Sequence, residues 1–142
     1  MKRAALIVSC MFMMLLASCG TVQTYEGSKQ PPGNVAIIQA TPRSMLDQVI
    51  GIYEQATVYA VDGVDSGINQ TNAEVLPGEH TITIKLDKVR SPVFYWTHRT
   101  LTINAEAGRT YIVNGEIIDE DNVFVWIVDK ETGNVVAGEK PD

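Results

Sequence analysis

Thr81-Ile82-Thr83-Ile84-Lys85-Leu86 alternates without a break, with Ile82, Ile84 and Leu86 on one side and Thr81, Thr83 and Lys85 on the other. A two-residue period is the signature of a strand with one face in a core and one in water. The pattern recurs. Thr57 to Val61 alternates and stops at Asp62-Gly63, a strong hairpin-turn pair. Thr100 to Asn104 turns Leu101 and Ile103 inward, and Arg109 to Ile118 puts Tyr111, Val113 and Ile117 on one face. Val35 to Ile38 is a short apolar run. Val123 to Val128 is apolar on both faces, which suits a central, doubly covered strand, and Thr132-Gly133-Asn134 turns into a last strand at Val135-Val136. Turn signals sit between them at Leu76-Pro77-Gly78-Glu79, Ala107-Gly108 and the acidic tip Asp119 to Asn122. About seven short strands spaced in this way predict a single immunoglobulin-like or transthyretin-like antiparallel β-sandwich over residues 34–142.

Two stretches fit this rhythm poorly. Thr41 to Gln55 has Met45, Val49 and Ile52 at helical spacing and Ser44 as a cap, but also Gly51 and β-branched residues. It is read as a loop with a short helical turn, an extended and bulged course being the alternative. Val93 to His98 runs in the opposite apolar phase to Leu101 and Ile103, which a bulge or loop near His98 would reconcile.

The first residues carry a different message. Lys2 and Arg3 precede an uncharged apolar run from Ala4 to Leu16, and the small residues Ala17 and Ser18 lead to Cys19. The run has the length of a signal-peptide core and is too short for a bilayer, which needs roughly 20 apolar residues. Leu16-Ala17-Ser18-Cys19 resembles the lipobox of bacterial lipoproteins. The resemblance implies cleavage before Cys19 (residues 1–18 being a signal peptide), a diacylglycerol on its thiol, and acylation of the new amino group. Gly20 stands where lipoproteins of the inner membrane commonly carry Asp, which implies sorting to the outer membrane, periplasmic face. Residues 19–33 follow as lipidated cysteine and flexible tether; Gly20 to Gly33 is polar, with Pro31 and Pro32, and as a flexible chain would hold the domain roughly 20 Å from the lipid.

Loss of Lys2 and Arg3 with the signal moves the formal net charge from −6 to −8. Such a domain repels nucleic acid and does not adhere by charge to an anionic membrane. Cys10 leaves with the signal and Cys19 takes the lipid, so the mature domain is expected to lack disulfides, cysteine nucleophiles and cysteine-ligated metals.

Val61-Asp62-Gly63, then Val75 to Ile82 (VLPGEHTI), then Leu101 to Val113 (LTINAEAGRTYIV) resemble the PEGA-type repeat pattern, and also several bacterial lipoprotein families of similar size. In these, "VDG" leads to "PGxHxI" and later to "AxxGxxYxV". The resemblance covers roughly residues 57–114. It implies the fold and brings no catalytic residues with it.

Candidate chemistry is sparse. His80 shares the parity of Ile82 and Ile84 and reads as a partly buried, hydrogen-bonded residue; His98 stands beside Arg99, and no spacing supports a zinc site built on both. Asp62 to Asn69 lacks the spacing of a calcium loop, and Asp119 to Asn122 reads as a solvated turn. There is no Gly-x-Ser-x-Gly elbow and no phosphate-binding loop. Neither a metal nor a cofactor is expected. Phe94-Tyr95-Trp96 is the candidate contact site, with Arg99 near it. Neighbours in a strand alternate sides, so either Tyr95 or the Phe94/Trp96 pair faces outward unless Met45, Leu46 and Ile50 cover the second face. The expected function is a lipid-anchored, non-catalytic module that binds an envelope protein or assists assembly. A small-molecule or glycan binder is the alternative, and an envelope hydrolase a weaker one.

Overall fold

The computed structural model describes residues 21–41, 45–65 and 72–142. The signal segment and Cys19 lie outside them, as do Ser44 and the Ser66–Asn69 part of the acidic stretch. The described residues form β1 (Thr21–Gln23), β2 (Ala36–Ala40), α1 (Met45–Ile50), β3 (Ile52–Val61), β4 (Val64–Asp65), β5 (Asn72–Val75), β6 (Gly78–Arg90), β7 (Val93–Ala105), β8 (Thr110–Ile117), β9 (Val123–Asp129) and β10 (Val135–Gly138). One sheet has the order β1-β5-β2-β8-β9-β10 and the other β4-β3-β6-β7. The fold is a β-sandwich.

The strand pairing departs from expectation in three ways. First, β1 with β5 and β2 with β8 are parallel pairs, so the larger sheet is mixed where an antiparallel one was expected. A parallel pair needs a long crossover, and the chain between β2 and β8 supplies it by building the whole second sheet. Second, β6 and β7 pair without any register shift from Gly78↔Ala105 to Arg90↔Val93, so no bulge stands at His98. The irregularity falls instead on β3, between Val58 and Ala60. Third, the stretch after Thr41 does carry the expected short helical turn, at Met45–Ile50 among the described residues, but Ile52 to Gln55 is already strand.

The segment read as a tether is docked. Thr21 to Gln23 pairs with Asn72 to Glu74. Thr24 N–H and Oγ1 both donate to the Glu74 carbonyl (3.1 and 2.9 Å), and Tyr25 donates its hydroxyl to Glu74 Oε1 at 2.5 Å. The Glu74 carboxylate is buried and requires a donor, which Tyr25 brings. Composition cannot report a pairing made across some 50 residues.

The core is aliphatic. Ile82, Ile84 and Leu86 of β6 meet Ile38, Val113 and Ile127 of the opposite sheet, all fully buried. The period-two reading of β6 therefore named its buried face correctly. Val123 to Val128 is half right: Val125 and Ile127 are buried, but Phe124, Trp126 and Val128 are half-exposed on the outer face. Gly115 on β8 permits the sheets to approach closely, because a Cβ there would stand 2.1 Å from Leu86 Cδ2 and 3.2 Å from the Phe124 carbonyl.

Polar ties fix the two ends. At one end, the Glu54 carboxylate accepts from Ile117 N–H, and Lys88, paired with Glu54 at 3.5 Å, donates to the Ile117 carbonyl. These two residues of the smaller sheet thus hold the end of β8 in the larger one. At the other end, the loop after β9 is organised by Asp129, whose Oδ1 accepts from Glu131 N–H (2.8 Å) and Thr132 N–H (3.1 Å). The Thr132 bond draws this carboxyl down, burial pushes it back up, and the Glu131 bond and the Arg109 charge leave it below its ordinary pKa.

Two outcomes follow from this packing. Gly115→Ala should destabilise by about 1–3 kcal/mol in urea unfolding, because the added methyl overlaps the buried Leu86 side chain and crowds the Phe124 carbonyl. The Asp129 carboxyl is lower in the folded than in the unfolded state, so its contribution is complete above the unfolded carboxylate pKa of about 4 and is lost as pH falls through the folded value. Melting temperature followed from neutral to about pH 3 should fall, and less steeply in Asp129→Asn.

Candidate functional site

The strict β6–β7 register decides where the three aromatics go. Phe94, Trp96 and His98 share the outer face of the smaller sheet, and Tyr95, Thr97 and Arg99 share the inner one. Phe94 is 73 % and Trp96 62 % exposed, while Tyr95 is half-buried against the core. Of the two arrangements left open by the sequence, the Phe94/Trp96 pair is the one facing outward. Leu46 and Ile50, expected to cover the second face, are themselves 74 % and 61 % exposed, and the Met45 side chain lies outside those described.

Arg99 is separated from that aromatic face by the pleat. Its guanidinium lies along its own strand, with Nη1 donating to Thr97 Oγ1 and to the His98 carbonyl at 2.9 Å each. Tyr59, which sequence reasoning did not single out, joins the face in its place. Its ring centroid is 4.4 Å from that of His98, tilted at 41°, and Trp96 approaches the same imidazole edge-on at 5.5 Å. Tyr59 falls at the register shift of β3, and no local sequence signal marks that shift. His98 Nε2 is shielded from solvent in this cluster and meets no hydrogen-bonding partner.

The backbone of β7 is the second feature. It is the terminal strand of its sheet, thirteen residues long. The His98 carbonyl, reached by Arg99, faces away from β6. By the alternation of an antiparallel ladder, Thr100 and Thr102 face the same way. The Thr83 and Thr100 hydroxyls lie 3.4 Å apart, as suits a pair without mutual backbone bonds. The edge thus offers a row of backbone donors and acceptors that no other described strand uses.

His80 lies near the start of β6, and its side chain braces a turn. Its Nδ1 lies 2.7 Å from Asp62 Oδ2 and its Nε2 2.7 Å from the Leu76 carbonyl, while Thr81 N–H donates to Asp62 Oδ1 at 2.8 Å. Asp62 and Gly63 both have positive φ (52° and 79°), as a two-residue hairpin turn requires. Tyr111 accepts from Glu106 N–H through its hydroxyl (3.0 Å), closing the turn before β8. Asp62, His80 and Tyr111 therefore hold turns together. His80 and His98 pair with Ile103 and Lys85, five positions apart along β6, or about 17 Å. Among the described residues no three His, Cys, Asp or Glu side chains gather at metal-binding distance.

An open cleft of about 440 Å³ lies beside the start of β9, where Leu101 of β7 approaches Gly138 of β10. Leu101, Val123, Phe124 and Val125 line it with Asp121, Asn122, Gly138 and Glu139, a set without cation or nucleophile. The Asp119 carboxylate at the nearby tip is occupied by Asp121 N–H (3.0 Å) and by Asn122 N–H and Nδ2 (2.9 and 2.8 Å), as a solvated turn would be.

Compared with known protein families, curated proteins and solved structures, the chain finds no match. The division of the aromatics has a direct consequence: Trp96→Ala should change unfolding free energy by about 1 kcal/mol or less, and Tyr95→Ala by about 2 kcal/mol or more. Equal losses in urea titrations would mean that the outward face is structural.

Proposed function

We propose that the chain is a lipid-anchored envelope lipoprotein that works without catalysis, by taking an extended segment of another envelope protein onto the edge of β7. The lipobox-like Leu16-Ala17-Ser18-Cys19 supports the anchor, with Cys19 as the acylated residue, and Gly20 supports the periplasmic face of the outer membrane. The single observation that carries the binding role is the edge of β7 itself. A long, regular terminal strand is a template for strand addition, and proteins that do not use such edges usually blunt them with bulges, prolines or charges. Here β7 runs from Val93 to Ala105 with no bulge and no proline, and Arg99 engages the His98 carbonyl alone. Main-chain bonds would supply affinity, and the side chains along the free edge of β7 would select sequence.

A second reading rests on the Tyr59–His98–Trp96 cluster, whose exposed Trp96 ring is a suitable platform for a sugar. Quenching of tryptophan fluorescence by an envelope oligosaccharide would favour it.

A photo-crosslinker at Thr102 tests the binding reading in cells. Thr100→Pro removes an outward N–H without breaking the β6–β7 ladder, so the fold should survive while the crosslinked partner is lost. Retention of the same partner in Thr100→Pro would reject edge addition. Intact mass of the mature chain should show a start at Cys19 carrying diacylglycerol and a third acyl chain, and Cys19→Ala should abolish membrane fractionation.

A further inference from the structure

Strand directions place the start of the domain and its apolar surface at the same end. β8 runs toward Ile117, and β2 runs parallel to it. β5 is antiparallel to β2 and β1 is parallel to β5, so Thr21 enters the sheet at the end toward which β8 runs. In the smaller sheet the same end is marked by Glu54 and Lys88, which hold Ile117. Beyond that point lie α1, the first residues of β3 and the β6–β7 turn.

This end carries most of the large apolar side chains that the fold leaves in water: Leu46, Val49, Ile50, Val93, Phe94 and Trp96, each more than 60 % exposed, with Ile52 and Ile118 beside them. Leu46, Val49 and Ile50 follow the i, i+3, i+4 spacing of one helical face, and that face points to solvent. Large apolar side chains left exposed at one end of a fold mark a docking site.

We infer that this end of the sandwich is a membrane-facing tip that rests on a zwitterionic lipid surface. The inference rests on the lipid-anchor reading above, and the length of chain identifies the occupant. One residue, Gly20, separates Cys19 from Thr21, so two Cα steps give a reach of at most about 7 Å. Thr21 stands at the level of Asn72 and Gln39, and Gln39 pairs with Ile112. Ile117 lies five residues further along β8, about 17 Å. The tip therefore projects beyond the anchor's reach, and lipid that holds Cys19 also meets the tip. Aromatic rings and a short apolar helical face suit the boundary between headgroups and acyl chains. Asp119, Glu120 and Asp121 project from the same end, on the β8–β9 turn, and repel an anionic leaflet.

The full acylated protein, reconstituted in phosphatidylcholine vesicles with brominated acyl chains, tests this through its two tryptophans. Trp126→Phe leaves Trp96 as the only tryptophan, and Trp96→Phe leaves Trp126, which pairs with Asn114 nearer the level of Thr21 and reports on the anchor. Trp96 should be quenched several-fold relative to vesicles with unbrominated chains, and more in phosphatidylcholine than in phosphatidylglycerol at low salt. Acylated, vesicle-bound protein with unquenched Trp96 would overturn the tip while leaving the anchor intact. Unquenched Trp96 with concentration-dependent dimers would assign the face to a second copy and also overturn it. Stronger quenching in phosphatidylglycerol would overturn the zwitterionic assignment. A mature chain without acyl groups would remove the anchor reading itself.

Discussion

The described domain depends on one contact surface, where the isoleucines and leucine of β6 pack against β2, β8 and β9. Ile82, Ile84 and Leu86 are fully buried, as are Ile38, Val113 and Ile127 opposite them. At about 25 cal/mol per Å² of apolar surface removed from water, this burial is the main term opposing chain entropy in a domain held by no disulfide among its described residues. Its quality depends on close approach. Gly115 exists in that sense for Leu86: the space a Cβ would take on β8 is filled by a side chain from the facing sheet. Packing density of this order leaves no slack for either partner.

Where the aliphatic core ends, polar residues take over the job of holding the sheets in register. Glu54 and Lys88 grip both backbone groups of Ile117, so that the last position of β8 is satisfied by side chains from the other sheet. Asp62 and Asp129 do comparable work within turns, each accepting from backbone amides. Burial pushes the Asp62 carboxyl up, but the bonds from His80 and Thr81 leave it below its ordinary pKa. Charged residues of this domain thus both tie the sheets and shape turns, while Leu46, Val49, Ile50, Val93 and Phe94 near the Ile117 end are exposed.

Local period was legible in the chain, and partnership was not. Alternation named the buried faces of β6, β7 beyond Leu101, and β8, because side-chain direction follows from the pleat alone. The apparent phase change at Val93 to His98 was misread as a bulge. Tyr95 does face the core, but the strand outruns the opposite sheet there, so Val93 on the inner face is as exposed as Phe94 and Trp96 on the outer one. β1, β4 and β5 were illegible because they are two to four residues long and polar, and are strands only through what they pair with. Tyr25 escaped notice for the same reason, since its importance comes from the buried Glu74 on a distant strand.

The sequence by itself determined an all-β chain, the inward residues of its long strands, the Asp62-Gly63 turn, and the choice that Phe94 and Trp96 stand opposite Tyr95. These follow from dihedral preference and a two-residue repeat, which act over a few neighbouring residues. Only the tertiary structure decided that two strand pairs are parallel, that the segment after Gly20 is docked, and that Tyr59 meets His98. It also decided that Thr21, α1 and the β6–β7 turn share one end. Those are contacts between residues far apart in the chain, selected by burial and by the need of buried polar groups for partners, and no local pattern encodes them.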